Sequence, residues 1–168
     1  MKPAVGAEYT LSTCQLDFCL PAKFDLKYID KDGSEKTPVV LHRAILGSLD
    51  RFMAYLIEET KGFFPLWLAP VQVKVLPVSD KSMEYAEKVY QQLRERRIRV
   101  ELDDRNEKIC YKIRYARQVD KVPYMLILGE KEVAEGNVSA RDRATDQTEA
   151  YTLEEFENKV LREIAERK

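Results

Sequence analysis

The chain has 168 residues, of which 45% are hydrophobic and 34% charged, with a formal net charge of −1. These figures suit one ordinary globular domain, or one domain and part of a second. They exclude a polycation that holds nucleic acid by bulk charge, and no apolar run reaches the roughly eighteen residues of a spanning helix.

The start, MKPAVGAEYTLS, lacks the basic-then-apolar pattern of an export signal, so the expectation is a cytoplasmic protein with no membrane partner. The next stretch, CQLDFCLPAKFDLKYIDKDGSEKTPVVLHR, reads as strand material. FDLKYI alternates through Phe24, Leu26 and Tyr28, Asp32-Gly33 reverses the chain, and TPVVLH is expected to return as its partner strand. AILGSLDRFMAYLIEET at 44–60 reads as a helix whose apolar face is Ile45, Leu49, Phe52, Met53, Leu56 and Ile57, ended by Gly62 and Pro65. One hairpin and one apolar helix bury little core, so this first part (1–63) is expected to need a cover from elsewhere. A junction at 64–71 leads into a second part, 72–168.

In that second part VKVLPV (73–78) is an expected strand, and Ser79 caps a helix with Met83, Ala86, Val89, Tyr90 and Leu93 inward. RIRVEL (97–102) is the next strand, and EKICYKIRYARQ is a helix with Ile109, Ile113 and Ala116 inward. YMLILG (124–129) is apolar enough for a central strand. GEKEVAEG reads as a turn, NVSARDR (137–143) as an exposed or edge strand, and ARDRATDQTEAYT as a loop. Thr152 and Glu155 form a capping box before a helix with Phe156, Val160 and Ile164 inward. The order implies an α/β fold, a mixed sheet flanked by helices.

Chemistry is sparse. Cys14, Cys19 and Cys110 are odd in number and lack CxxC spacing, so they read as free thiols. His42 is the sole histidine, which leaves no base–nucleophile set for an independent hydrolase or transferase, and one histidine does not make a zinc site. Arg51, on the apolar helix, either pairs with Asp50 or Glu58 or clamps a phosphate. Between Arg94 and Lys121 ten Lys or Arg face six Asp or Glu. Within it, Arg105, Asn106, Lys108, Lys112, Arg114, Tyr115 and Arg117 could stack on unpaired bases and meet phosphates, with Glu132 and Arg141 on the same rim. Pairing of these cations with Asp103 and Glu107 across the surface is the plainer alternative.

QLDF, LPAKFDLKYIDKDG, PVVLHRAILGSLDRF, FFPLWLAPVQV, RNEKICYKIRYA and VPYMLILGEKEV, in that order, resemble the C-terminal end of the bacterial threonyl-tRNA synthetases, class II aminoacyl-tRNA synthetases. The resemblance implies that 1–63 is the end of a class II catalytic domain and 72–168 an anticodon-binding domain. It implies that Arg51 of motif 3, Gln15 and Ser48 belong to an ATP and adenylate pocket. It makes His42 the last of three zinc ligands, and Asn106, Lys108, Arg114, Glu132 and Arg141 the contacts to tRNA(Thr). Zinc, Mg²⁺ and ATP are then cofactors of the full homodimeric enzyme. Motifs 1 and 2 and the other two zinc ligands fall outside these 168 residues, so this chain alone is expected neither to aminoacylate nor to hold metal or nucleotide tightly. Cys110 stands where the family usually has Gly. A stand-alone accessory protein that uses the same domain for protein contact is the competing reading.

Overall fold

The computed structural model describes Glu8 and residues 10–168; most of the stretch read for an export signal lies outside the described residues. The chain divides into two compact units, Met1–Lys61 and Gly62–Lys168.

In the first unit β1 (Thr13–Asp17) pairs antiparallel with β4 (Val40–Ala44), so TPVVLH returns to QLDF and not to FDLKYI. The reason is local. The short helix α1 (Cys19–Lys23) ends in a turn in which Leu26 N donates to Pro21 O at 2.9 Å, and Asp25 holds a positive φ of 48°. Phe24–Lys27 therefore cannot run extended, and only Tyr28–Ile29 (β2) remains to pair with Glu35–Lys36 (β3). The expected reversal does form, with Gly33 at φ 78° and its N–H donating to Asp30 O. Helix α2 spans Leu49–Thr60; Ser48 caps it and Gly47 sits at φ 73°, so Ile45 falls before the helix and not on its face. No residue of α2 is buried.

The second unit carries a five-stranded sheet in the order β6-β5-β7-β8-β9. β5 (Val73–Pro77), β6 (Val100–Leu102) and β7 (Tyr124–Leu128) are parallel, while β8 (Asn137–Asp142) and β9 (Thr148–Thr152) continue antiparallel. Ser79 opens a single 3-10 turn, Asp80–Ser82, that leads into α3 (Met83–Glu95). α4 (Ile109–Gln118) crosses from β6 to β7, and α6 (Leu153–Ala165) closes the chain.

Alternation along each strand divides the sheet's side chains between two faces. Val73, Val75, Leu126, Leu128, Val138 and Ala140 pack with Ala86, Val89 and Leu93 of α3 and Phe156 and Val160 of α6. Opposite them, Leu76 and Met125 pack with Ala116 of α4. Register puts Arg141 beside Met125 and Thr148 beside Arg141 on that second face, and Ser139 beside Ile127 with Ala150 beyond it. Helix α4 thus packs its core over β5 and β7, and the β8–β9 half carries Arg141, Ser139 and Thr148 beside the small Ala150.

Three readings are corrected here. NVSARDR is an inner strand: its alternation reports burial of Val138 and Ala140 on one side only, not an edge position. The edge is β9, inside the stretch read as loop; its Thr and Glu side chains stay in water, as befits an edge. GEKEVAEG contains a helix, α5 (Glu130–Glu135), begun at Gly129 and ended by Gly136 at φ 66°.

The stretch 62–71 is tied to this unit. Arg99 donates from Nε to Ala69 O at 2.9 Å and from Nη2 to Trp67 O at 2.8 Å. Buried Gln72 donates to Leu66 O at 2.9 Å, and Arg143 donates from Nη2 to Phe64 O at 2.9 Å and from Nη1 to Lys121 O.

Candidate nucleic-acid interface

Of the five residues that the sequence suggests as RNA contacts, Arg141 and Glu132 lie at the second sheet face, and Asn106, Lys108 and Arg114 lie just before, at the start of and along α4. Arg141 projects from β8 on that face. Glu132, on α5, reaches the same strand: its Oε1 accepts from Ser139 Oγ at 2.7 Å and its Oε2 from Gly129 N at 2.9 Å. Partial burial works against ionisation of Glu132, but these hydrogen bonds prevail and hold its carboxyl below the ordinary glutamate value. Arg114 is exposed on α4, one turn before Arg117. Arg117 Nη1 donates to Asp146 Oδ2 at 2.9 Å, and the other oxygen of Asp146 receives Arg141 Nε at 2.9 Å. Lys108 is the N-cap of α4 and makes no side-chain cap bond, while Asn106 lines a small cavity of about 40 Å³ with Pro77 and Lys112. Those two stand at the start of α4, and Arg114 and Arg117 further along it.

Two other cations of the basic segment are structural. Lys112 is buried and donates to Asp103 O at 3.0 Å and Pro77 O at 3.3 Å. Arg105 is gripped by Asp103 through Nε at 2.8 Å and Nη2 at 2.6 Å, and its guanidinium lies 4.3 Å from the Tyr115 ring centroid. For Arg105 the pairing alternative holds. Hydrogen bonds from Arg105 outweigh burial and keep the Asp103 carboxyl below its ordinary value. Sequence reasoning gave Asp146 no role. Arg117 stands in the basic segment singled out from the sequence, whereas Asp146 sits between β8 and β9 at a positive φ of 61° with no distinguishing neighbour.

In the first unit Gln15 and His42 are direct register partners, so they share one face. His42 Nε2 lies 2.9 Å from Asp17 Oδ2, and Asp17 Oδ1 accepts from Cys19 N at 2.8 Å and Leu20 N at 3.0 Å. The Leu20 amide and the His42 ring together lower the Asp17 carboxyl. Ser48 Oγ accepts from Arg51 N at 3.4 Å, which joins those two through the helix cap. Among the described residues Arg51 has no ion pair, and no hydrogen bond links the Gln15–His42 pair to the Ser48–Arg51 pair. No group of three or more His, Cys, Asp or Glu side chains converges as a metal site among the described residues. His42 with Asp17 therefore falls short of a zinc shell, and the three cysteines are free and exposed. Among the described residues no helix is long and apolar enough to cross a membrane.

The family described as "Anticodon binding domain" matches residues 72–163, and "tRNA synthetase class II core domain (G, H, P, S and T)" matches 1–60. The threonine–tRNA ligase of Caldanaerobacter subterraneus subsp. tengcongensis is 54% identical over 165 residues, 98% of this chain and 26% of that protein. The ligase of Lactobacillus acidophilus is 51% identical over 160 residues, 95% of this chain and 25% of that protein. The chain thus spans about a quarter of the length of these relatives. A crystal structure of the RNA binding domain of threonyl-tRNA synthetase from Cryptosporidium parvum matches 95% of this chain and 40% of that one, with a TM-score of 0.78 and 39% identity. With more than half its length matched, and its mixed sheet and flanking helices as that match requires, the chain belongs to the anticodon binding domain family, preceded by a segment of class II synthetase core and matching bacterial threonine–tRNA ligases across both parts.

Proposed function

We propose that Gly62–Lys168 binds the anticodon arm of tRNA(Thr) on the half-open sheet face beside α4, as the C-terminal portion of a cytoplasmic threonine–tRNA ligase. The observation that carries this reading is Arg141. It is a guanidinium on a polar strand face, beyond the core packed under α4, in a unit of the anticodon-binding family. An arginine fork suits a base edge, and bases in a loop are unstacked and open to such readout. Arg114 and Lys108 supply phosphate charge, while Glu132 and Asn106 offer polar readout at the rim. The domain bounds 1–63, 64–71 and 72–168 belong to this same reading.

The first unit contributes Gln15, Ser48 and Arg51 to an adenylate pocket that the rest of the catalytic domain completes. Exposed Leu16, Leu41 and Leu49 support that partner, since such apolar surface calls for a cover. Zinc, Mg²⁺, ATP and dimer formation belong to the whole enzyme.

The test is titration of the 168-residue chain with tRNA(Thr) and with the same tRNA altered in its anticodon, at fixed salt. The expected preference for the natural anticodon is at least about tenfold. Arg141→Ala is expected to remove about 1–3 kcal/mol of that discrimination while most of the phosphate-driven affinity remains. Equal affinity for the two tRNAs would sink the reading.

A further inference from the structure

Asp146 lies between two guanidinium groups from different elements. Its Oδ1 accepts from Arg141 Nε at 2.9 Å and is 2.8 Å from Nη2 of the same residue, while its Oδ2 accepts from Arg117 Nη1 at 2.9 Å. One carboxylate thereby joins β8 to the last turn of α4. The loop that delivers it is fixed as well. Asp146 N donates to Asp142 O at 2.9 Å, Asp142 N donates to Gln147 O at 3.0 Å, and Ala144 N donates to Asp142 Oδ1 at 2.7 Å.

The trio carries a net positive charge and is not sealed from solvent: the Arg117 and Arg141 side chains are 42% and 27% exposed. Among the described residues Asp146 occupies one edge of the Arg141 fork and one nitrogen of Arg117. Nη1 of Arg141 and Nε and Nη2 of Arg117 remain for another acceptor. An arginine held on one side loses less rotamer freedom when it binds on the other.

We propose that Asp146 is a positioning residue, which sets Arg141 toward a base edge and Arg117 toward the adjoining phosphate, so that sequence discrimination depends on a carboxylate that by itself repels RNA. This rests on the RNA-binding reading above and adds two residues to that site. Arg117 is the phosphate contact and Asp146 touches no RNA.

Asp146→Asn tests it, because Asn tolerates the left-handed backbone and keeps the shape while removing the charge. The full 168-residue chain, its Asp146→Asn and Arg117→Ala variants are titrated with tRNA(Thr) and the anticodon-altered tRNA across a salt series. Asp146→Asn is expected to shrink the ratio of the two affinities about tenfold without weakening binding of the altered tRNA. Arg117→Ala is expected to weaken both tRNAs alike and reduce the salt slope by about one. If Asp146→Asn tightens both tRNAs by one factor and leaves their ratio intact, Asp146 is only a repelling charge and the proposal is overturned. If the unmodified chain does not distinguish the tRNAs, the anticodon reading itself fails and takes this one with it. Should Asp146→Asn lose its fold by circular dichroism, Asp146→Gly decides instead. It accepts the left-handed backbone of this position and removes the carboxylate, so a narrowed ratio supports the clasp and an unchanged ratio overturns it.

Discussion

Phe156, Leu126 and Leu93 of the second unit are wholly withdrawn from solvent, and helices pack on both faces of its sheet. In the first unit the buried residues among those described are Leu11 and Pro21, while Leu16, Phe18, Leu41 and Leu49 are each more than 60% exposed. Both units show clear apolar periodicity. Periodicity tells where a nonpolar face lies; it does not tell whether the same chain supplies the cover. The second unit encloses its face with α3 and α6, and the first leaves α2 and the β1–β4 pair without buried residues.

The largest effect expected from this contrast is in the core. Phe156→Ala should lower the stability of the second unit by about 3–5 kcal/mol, whereas Leu49→Ala, at a site 75% exposed, should fall within about 0.5 kcal/mol. Urea unfolding followed by the fluorescence of Trp67, the sole tryptophan, measures the first. Circular dichroism over the same range covers the second, and comparable losses at the two sites would break the contrast.

Asp103 gives the next effect. Its side chain is almost fully buried and accepts from both Nε and Nη2 of Arg105, so Asp103→Ala should cost about 2–3 kcal/mol. Its carboxyl titrates lower in the folded chain than its ordinary 3.8, so the folded state binds fewer protons there. The stabilisation is complete above that value and is lost as pH falls through the folded pKa. Unfolding curves of the native chain and Asp103→Ala should therefore converge in acid, and a constant gap down to strong acid would refute the pairing as the source.

The smallest effects are at the caps. Thr152 Oγ1 accepts from Glu155 N at 3.3 Å while Glu155 accepts from Thr152 N at 2.9 Å, ahead of a helix with a buried face. Thr152→Ala should cost about 1 kcal/mol. Ser48→Ala, at the head of a helix with no buried residue and with a long 3.4 Å cap bond, should fall at the low end, about 0.5 kcal/mol. The ordering of the two midpoints in thermal melts checks this.

The helices with one apolar stripe, α3 and α6, were legible because three- and four-residue spacing agrees with the packing; the Thr152 cap of α6 agrees too, whereas Ser79 opens the 3-10 turn and α3 itself begins after Ser82. So was β7, an uninterrupted apolar run that the sheet buries. What misled was polarity without context. TEAYT looks like loop because an edge strand bordering an open face has little to bury, and FDLKYI looks like strand because alternation alone does not reveal the turn at Asp25. The candidate site rests on residue type and on resemblance. The split of the basic segment into presented arginines and captive cations was not, because burial of Lys112 and capture of Arg105 by Asp103 depend on where β5 and β6 end.

The ten residues 62–71 precede the matched family region, yet they fasten to it at four positions. A chain trimmed to begin at Gln72 would keep all five strands while Arg99 lost both of its carbonyl acceptors and Arg143 one of two. Arg99, now an internal rivet, would become a loose cation, and Arg143 would be held by Lys121 O alone. The freed guanidinium donors would add contacts to phosphate that carry no sequence information, so the RNA affinity of the trimmed protein would overstate what the intact unit achieves by selection.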